Sequence, residues 1–170
     1  MVTPEVASRF GTPPQDAFTI APALAQPTSK GSVRLASNNF QDAAVIDGNY
    51  VSTDQDFAAI VRAIEAAREI GNQHAFDSFR ESELIPGPNA SAEEIQELAR
   101  LASASFGHAV GTCKMGVDKL AVVDPELRVH GISGLRVADA SVMPQIITGP
   151  GTNASAHMIA GRAAELILGR

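Results

Sequence analysis

Cysteine is nearly absent: one residue, Cys113, in 170. A lone thiol makes no internal disulfide, which excludes a stapled secreted scaffold and allows a reducing compartment. In a tight loop it reads as a small buried apolar side chain. Lys and Arg form no cluster and the net charge is -6, so neither nucleic acid nor an anionic membrane is an expected partner. No apolar run is long enough to span a bilayer, and Pro4, Glu5 and Arg9 interrupt any basic-then-apolar secretion signal, so a cytoplasmic location is expected. There is no Gly-x-Ser-x-Gly elbow, which removes a Ser-His-Asp hydrolase. His108, Cys113 and His130 lack recognisable ligand spacing, so no metal is expected. Internal repeats and low-complexity tracts are also missing.

What is there describes a folded globular chain able to bury one core, with 45% hydrophobic and 19% charged residues. Residues 1–16 hold three prolines and no periodicity, and read as a surface segment. Residues 17–24 read as a strand broken at Pro22, 32–36 as a half-buried strand and 43–46 as a third. Ser52 with Gln55 suggests a capping box. Phe57, Ile60, Val61, Ile64 and Ala67 then trace one face of a core-facing helix ending near Gly71. A short helix is expected within 72–80, carrying a surface His74. After the breaker Pro86-Gly87-Pro88, Ser91 and Glu94 form a second capping box for a helix through about Ala104.

Chemistry concentrates between His108 and Leu168. His108-Ala-Val-Gly-Thr-Cys-Lys-Met-Gly116 sets one imidazole before small residues, a composition suited to a pocket wall. Residues 121–139 alternate short β-branched runs with turns, the second run ending on Asp139 as if at the carboxyl end of a strand, where open α/β sheets place ligands. Thr148-Gly-Pro-Gly-Thr-Asn153 leads into a helical repeat of Met158, Ile159, Ala163, Leu166 and Ile167, with Thr152 or Asn153 as cap. The amino end of that helix favours an anion or electron-rich ring. His130 reads as a surface residue in a turn.

Four blocks in one order carry a resemblance: His-x-x-Gly-Thr-Cys-Lys-Met-Gly at 108–116, Val-Val-Asp-Pro-x-Leu-Arg-Val at 122–129, Gly-Leu-Arg-Val-Ala-Asp-Ala-Ser-Val-Met-Pro at 134–144, and Thr-Asn-Ala-x-x-x-Met-Ile-Ala at 152–160. Together they resemble the carboxyl-terminal signature of the glucose-methanol-choline (GMC) flavin oxidoreductases. Gly31-Ser-Val-Arg-Leu, Ile46-Asp-Gly-Asn-Tyr50 and Asp54-x-Asp56 are similar to that family's substrate domain, so the likeness runs from about Pro27 onward.

The resemblance implies an α+β fragment. Residues 17–105 would form part of a substrate-binding domain with a mixed or antiparallel sheet and helices. Residues 106–170 would hold the signature segment with the catalytic histidine and the closing strand and helix of a Rossmann-like FAD domain. The Gly-x-Gly-x-x-Gly fingerprint that cradles a dinucleotide is missing, so the amino-terminal FAD-binding half is expected to be absent or supplied by a second chain.

The implied activity, FAD-dependent oxidation of a small-molecule alcohol, belongs to the complete enzyme and needs an acceptor that only a cofactor supplies. His108 takes the position of the catalytic base and Asn153 that of the residue orienting the hydroxyl, with hydride passing to flavin N5. Asp139, Ala140, Asn153 and Ala154 are implied cofactor contacts. His157, on the Asn153 face of the helix, stands where the family usually has an apolar residue, and is expected to be satisfied and partly buried. Pro150, Ser155 and a 144–153 loop about one residue longer than usual are further departures. The competing expectation is a non-catalytic, truncated substrate domain whose 54–70 and 153–168 helices expose apolar faces and drive self-association or partner binding.

Overall fold

The computed structural model describes residues 2–147 and 151–169. Among the described residues it is an α+β chain of four α-helices and one two-stranded antiparallel sheet, divided into two compact units.

The first unit comprises Met1–Lys30 and Asn49–Ala104. It opens with a helix where the sequence suggests an aperiodic surface run. Helix α1 (Pro4–Phe10) is capped by the Thr3 hydroxyl, which accepts from the Val6 amide, and Val6 is buried. Proline reads as a breaker, yet at the first helical position its missing N–H is one the helix leaves unpaired anyway. Seven residues are also too few to display a period. The strand expected over 17–24 does not form; that segment is irregular.

Helix α2 (Asp54–Gly71) starts one residue later than the Ser52 cap implied: Thr53 accepts from the Asp56 amide, and the Ser52 amide instead donates to the Ser29 hydroxyl. Helix α3 (Ala92–Ala102) carries the expected capping box, with Ser91 and Glu94 exchanging hydrogen bonds of 3.2 and 2.9 Å. Ile60 and Ile64 of α2 pack with Ile95, Leu98 and Ala99 of α3 and with Val6. The expected open face on α2 is therefore largely covered within the chain. Ser91→Ala should lower the unfolding free energy by about 1 kcal/mol, the usual worth of such a cap, read from urea melts. An unchanged midpoint would mean that water satisfies the freed amides equally well.

Arg68 near the end of α2 holds Glu83 through two bonds of 2.7 and 2.9 Å and reaches the Gly87 carbonyl, which fixes the Pro86-Gly87-Pro88 turn against the helix. His74 lies in a single 3-10 turn, His74–Phe76, and is fully exposed, as the sequence suggests.

The second unit comprises Gly31–Gly48 and Ser105–Arg170. Strands β1 (Ser32–Arg34) and β2 (Val45–Asp47) pair antiparallel with Val33 opposite Ile46. All six strand residues are exposed, so the half-buried strand expected at 32–36 is a ribbon without a covered face. Gly31 is required beside it, because a Cβ there would lie 2.1 Å from the Asp47 carbonyl oxygen.

The core of this unit is Val123, Leu127, Val142, Met143, Ile159 and Ala163. The closing strand expected before Asp139 is not formed among the described residues. Isolated bridges join Met115 to Val123, Val123 to Val129 and Arg128 to Arg136. Positive φ at Leu127, Gly131 and Gly134 turns the chain too often for a ladder to propagate. Helix α4 (Asn153–Leu168) buries Ser155, Ile159 and Ala163 and stops at a left-handed Gly169. Met158, Ile167 and Leu168 remain 67%, 64% and 63% exposed, so the apolar face of α4 is only partly covered.

Candidate active site

Backbone bonds, not regular strands, set the 108–116 loop. The amides of Cys113 and Met115 donate to the Ser141 and Val142 carbonyls at 3.0 and 2.8 Å, and the Gly116 amide donates to Val123 at 3.0 Å. This pins the loop to a 3-10 turn at Ala140–Val142, which in turn contributes Val142 to the core under α4. Cys113 is half-buried, where the sequence suggests a buried side chain.

The loop presents His108 to the start of α4. Its imidazole lies on Gly151, where an added Cβ would come within 2.8 Å of Cε1 and Nε2. The Thr152 hydroxyl stands 3.5 Å from Nδ1. Thr148, Gly149 and Pro150 lie outside the described residues, so the longer-loop reading and the Pro150 departure are left there.

Asn153 is the first residue of α4 and exposed, adjacent in sequence to the pair that touches His108; no hydrogen bond joins its side chain to the imidazole among the described residues. Ala154 follows it on the helix and is exposed, while Ala140 is half-buried. Asp139 is not at a strand end. It caps the 3-10 turn, its Oδ1 accepting from the Ser141 amide at 2.7 Å. Hydrogen bonds from the Ser141 side chain and amide hold its carboxyl below the ordinary aspartate range.

The two remaining histidines of this unit are engaged elsewhere. His130 is exposed, as the sequence implies, with Nε2 donating to the Gly116 carbonyl at 3.0 Å. His157 is satisfied but exposed, contrary to the partly buried placement expected: Nδ1 donates to the Asn153 carbonyl at 2.9 Å, which folds the ring back along the helix.

Two features of the first turn of α4 go beyond the sequence reading. Thr152, at the cap, makes no side-chain bond to a helix amide, so the turn's free N–H groups keep their partial positive charge. Ser155 is 4% exposed, and its hydroxyl has no partner among the described residues. The contact of His108 with Gly151 and Thr152 joins residues more than forty apart; its only sequence sign was the small Gly-Thr pair ahead of the helix. The two concavities that stand out lie elsewhere, one along Glu65–Gln73 and one over Asp124–Arg136, and His108 lines neither.

Residues 27–160 match the family profile described as GMC oxidoreductase. The chain belongs to the GMC oxidoreductase family. It is 47% identical over 143 residues to an oxygen-dependent choline dehydrogenase of Klebsiella pneumoniae, a match covering 84% of this chain and 26% of the relative. Over the same length it is 45% identical to the choline dehydrogenase of an Escherichia coli strain. Among solved structures, pyridoxine 4-oxidase from Mesorbium loti superposes with a TM-score of 0.79 at 38% identity, covering 86% of this chain and 28% of that one. A fungal aryl-alcohol oxidase superposes with a TM-score of 0.72 at 31% identity, covering 85% and 24%. The chain thus corresponds to a carboxyl-terminal region of a GMC oxidoreductase and spans about a quarter of the length of these relatives.

Proposed function

We propose that this chain forms the alcohol-binding and proton-transfer part of an FAD-dependent alcohol oxidoreductase, with His108 as general base and Asn153 orienting the hydroxyl. The observation that carries the reading is the seating of the His108 imidazole on Gly151 at the amino end of α4. The ring is exposed, and neither of its nitrogens is bonded to a carboxylate among the described residues. Histidine suits this task because its ordinary pKa lies near neutrality.

Residues at the start of α4 fit a flavin. Its uncapped amides offer positive potential to an electron-rich ring edge, Ala154 adds little bulk, and the buried Ser155 hydroxyl lacks a partner among the described residues. Asp139 and Ala140 would lie toward the phosphate and ribitol portion. FAD, when bound, supplies the acceptor for the hydrogen leaving the alcohol carbon. The protein's share is to take the hydroxyl proton at His108, to hold the alcohol oxygen through the Asn153 amide, and to direct the carbon toward that acceptor.

The glycine fingerprint for the dinucleotide is not in this sequence, so we assign it to a complementary amino-terminal portion or second chain. The uncovered ribbon, with Leu35 86%, Phe40 93% and Ile46 74% exposed, and the open α4 face give that portion surface to bury. Co-expression with the amino-terminal portion of a choline dehydrogenase relative should yield a soluble yellow complex that retains FAD through gel filtration and is bleached anaerobically by an alcohol. A colourless mixture, or this chain forming stable oligomers that refuse the complement, would favour the non-catalytic reading.

A further inference from the structure

Among the described residues, four α-helices begin at a hydroxyl residue, and three use it in the same way. Thr3, Thr53 and Ser91 each accept a hydrogen bond from the amide three residues on, the ordinary duty of a cap. Thr152 does not; its cap residue has φ -95 and ψ -1 instead of the extended backbone seen at the other three. Its hydroxyl is turned to His108 Nδ1 instead, 3.5 Å away. Beneath the same ring, Gly151 holds φ +89, a conformation that L side chains rarely adopt, and leaves no room for a Cβ.

We infer that Thr152 is a positioning residue that sets the tautomer of His108: its hydroxyl oxygen accepts the Nδ1–H, leaving Nε2 bare to receive a proton. Which imidazole nitrogen carries the proton is decided by the bond the other one makes. In water a neutral histidine side chain favours the Nε2–H form, which would present a donor where the reaction needs an acceptor. An oxygen held at Nδ1 reverses that preference. The separation is long for a hydrogen bond, as such contacts are before a ligand closes the site, and tightening by a few tenths of an ångström brings it into the normal range. The backbone cap is thus exchanged for control of a side chain forty-four residues away. The proposal gives its functional meaning to the base assigned above, but the tautomer is a property of this chain alone.

The test is long-range proton–nitrogen NMR on the 15N-histidine-labelled chain at mildly alkaline pH, with His108 assigned by its loss in His108→Gln. Two internal standards are present: His130, whose Nε2 donates to a carbonyl, and His157, whose Nδ1 does. His108 should show the Nδ1–H pattern of His157. In Thr152→Val its two nitrogen shifts should exchange, giving the pattern of His130, and Thr152→Ser should restore the original. An Nε2–H pattern in the unaltered chain, or shifts that stay put in Thr152→Val, would overturn the proposal. The outcome is separable from the base assignment. A confirmed tautomer with undiminished activity in a His108 variant would remove the base while leaving Thr152 in its role.

Discussion

His108→Ala in the flavin-loaded enzyme should slow alcohol-driven flavin reduction by about a thousandfold, within the usual range for removal of a general base, while FAD stays bound. That loss corresponds to about 4 kcal/mol of transition-state stabilisation. The reasoning is local. The imidazole contributes no buried side chain to the core of its unit, which is Val123, Leu127, Val142, Met143, Ile159 and Ala163, so its truncation should leave folding almost untouched. Stopped-flow reduction under anaerobic conditions isolates the reductive half-reaction, which includes the loss of the hydroxyl proton. Alanine should lower the limiting rate far more than it weakens alcohol binding. Unchanged reduction would take His108 out of the mechanism, and loss of FAD would recast it as a structural contact.

The second large effect concerns stability and falls on Asp56. This carboxylate is 3% exposed and accepts the amides of Thr28 and Ser29 and both of their hydroxyls, tying the 28–29 turn to the first turn of α2. Burial alone would raise its pKa, but the hydrogen bonds from Ser29 and Thr28 outweigh it and bring the value down to about 2 from 3.8. A depressed carboxylate contributes stability that is fully present above its unfolded pKa and is lost as pH falls through the folded one. The window therefore runs from about 4 down to about 2, and the contribution is roughly 2 kcal/mol. Asp56→Ala should cost about 3 kcal/mol at neutral pH, since the part-buried amides and hydroxyls of Thr28 and Ser29 also lose their shared acceptor. Asp56→Asn should flatten the acid limb of a urea-midpoint against pH plot. A variant that keeps the wild-type acid limb would place the responsible group elsewhere.

Much of this was legible in sequence for a physical reason: long amphipathic helices advertise themselves. The α2 face from Phe57 to Ile64 and the Ser91/Glu94 box give period and cap in one stretch. The same holds for the GMC signature, whose blocks span residues the fold brings to one place, as the His108 contact with the start of α4 illustrates. Short elements were less legible. Seven-residue α1 has one buried side chain, Val6, so no repeat marks it, and its proline carries the opposite cue. Alternation at 32–36 predicted a buried face that this chain does not cover, because pattern reports what a strand is built to pack on and not whether the partner is present. Asp139 looked like a strand-end ligand, but the turns at Gly131 and Gly134 leave it as the cap of a single 3-10 turn. The Gly151 and Thr152 contacts were hidden because a tertiary approach to glycine leaves no mark beyond the glycine itself.

A crystal structure of the FAD-loaded enzyme with a slowly turned-over alcohol tests the central claim most directly. The account predicts the alcohol oxygen about 3 Å from both His108 Nε2 and the Asn153 side-chain amide, beside the first turn of α4. An oxygen held by other groups, with the His108 ring lifted from Gly151 and facing away from the flavin, would contradict it.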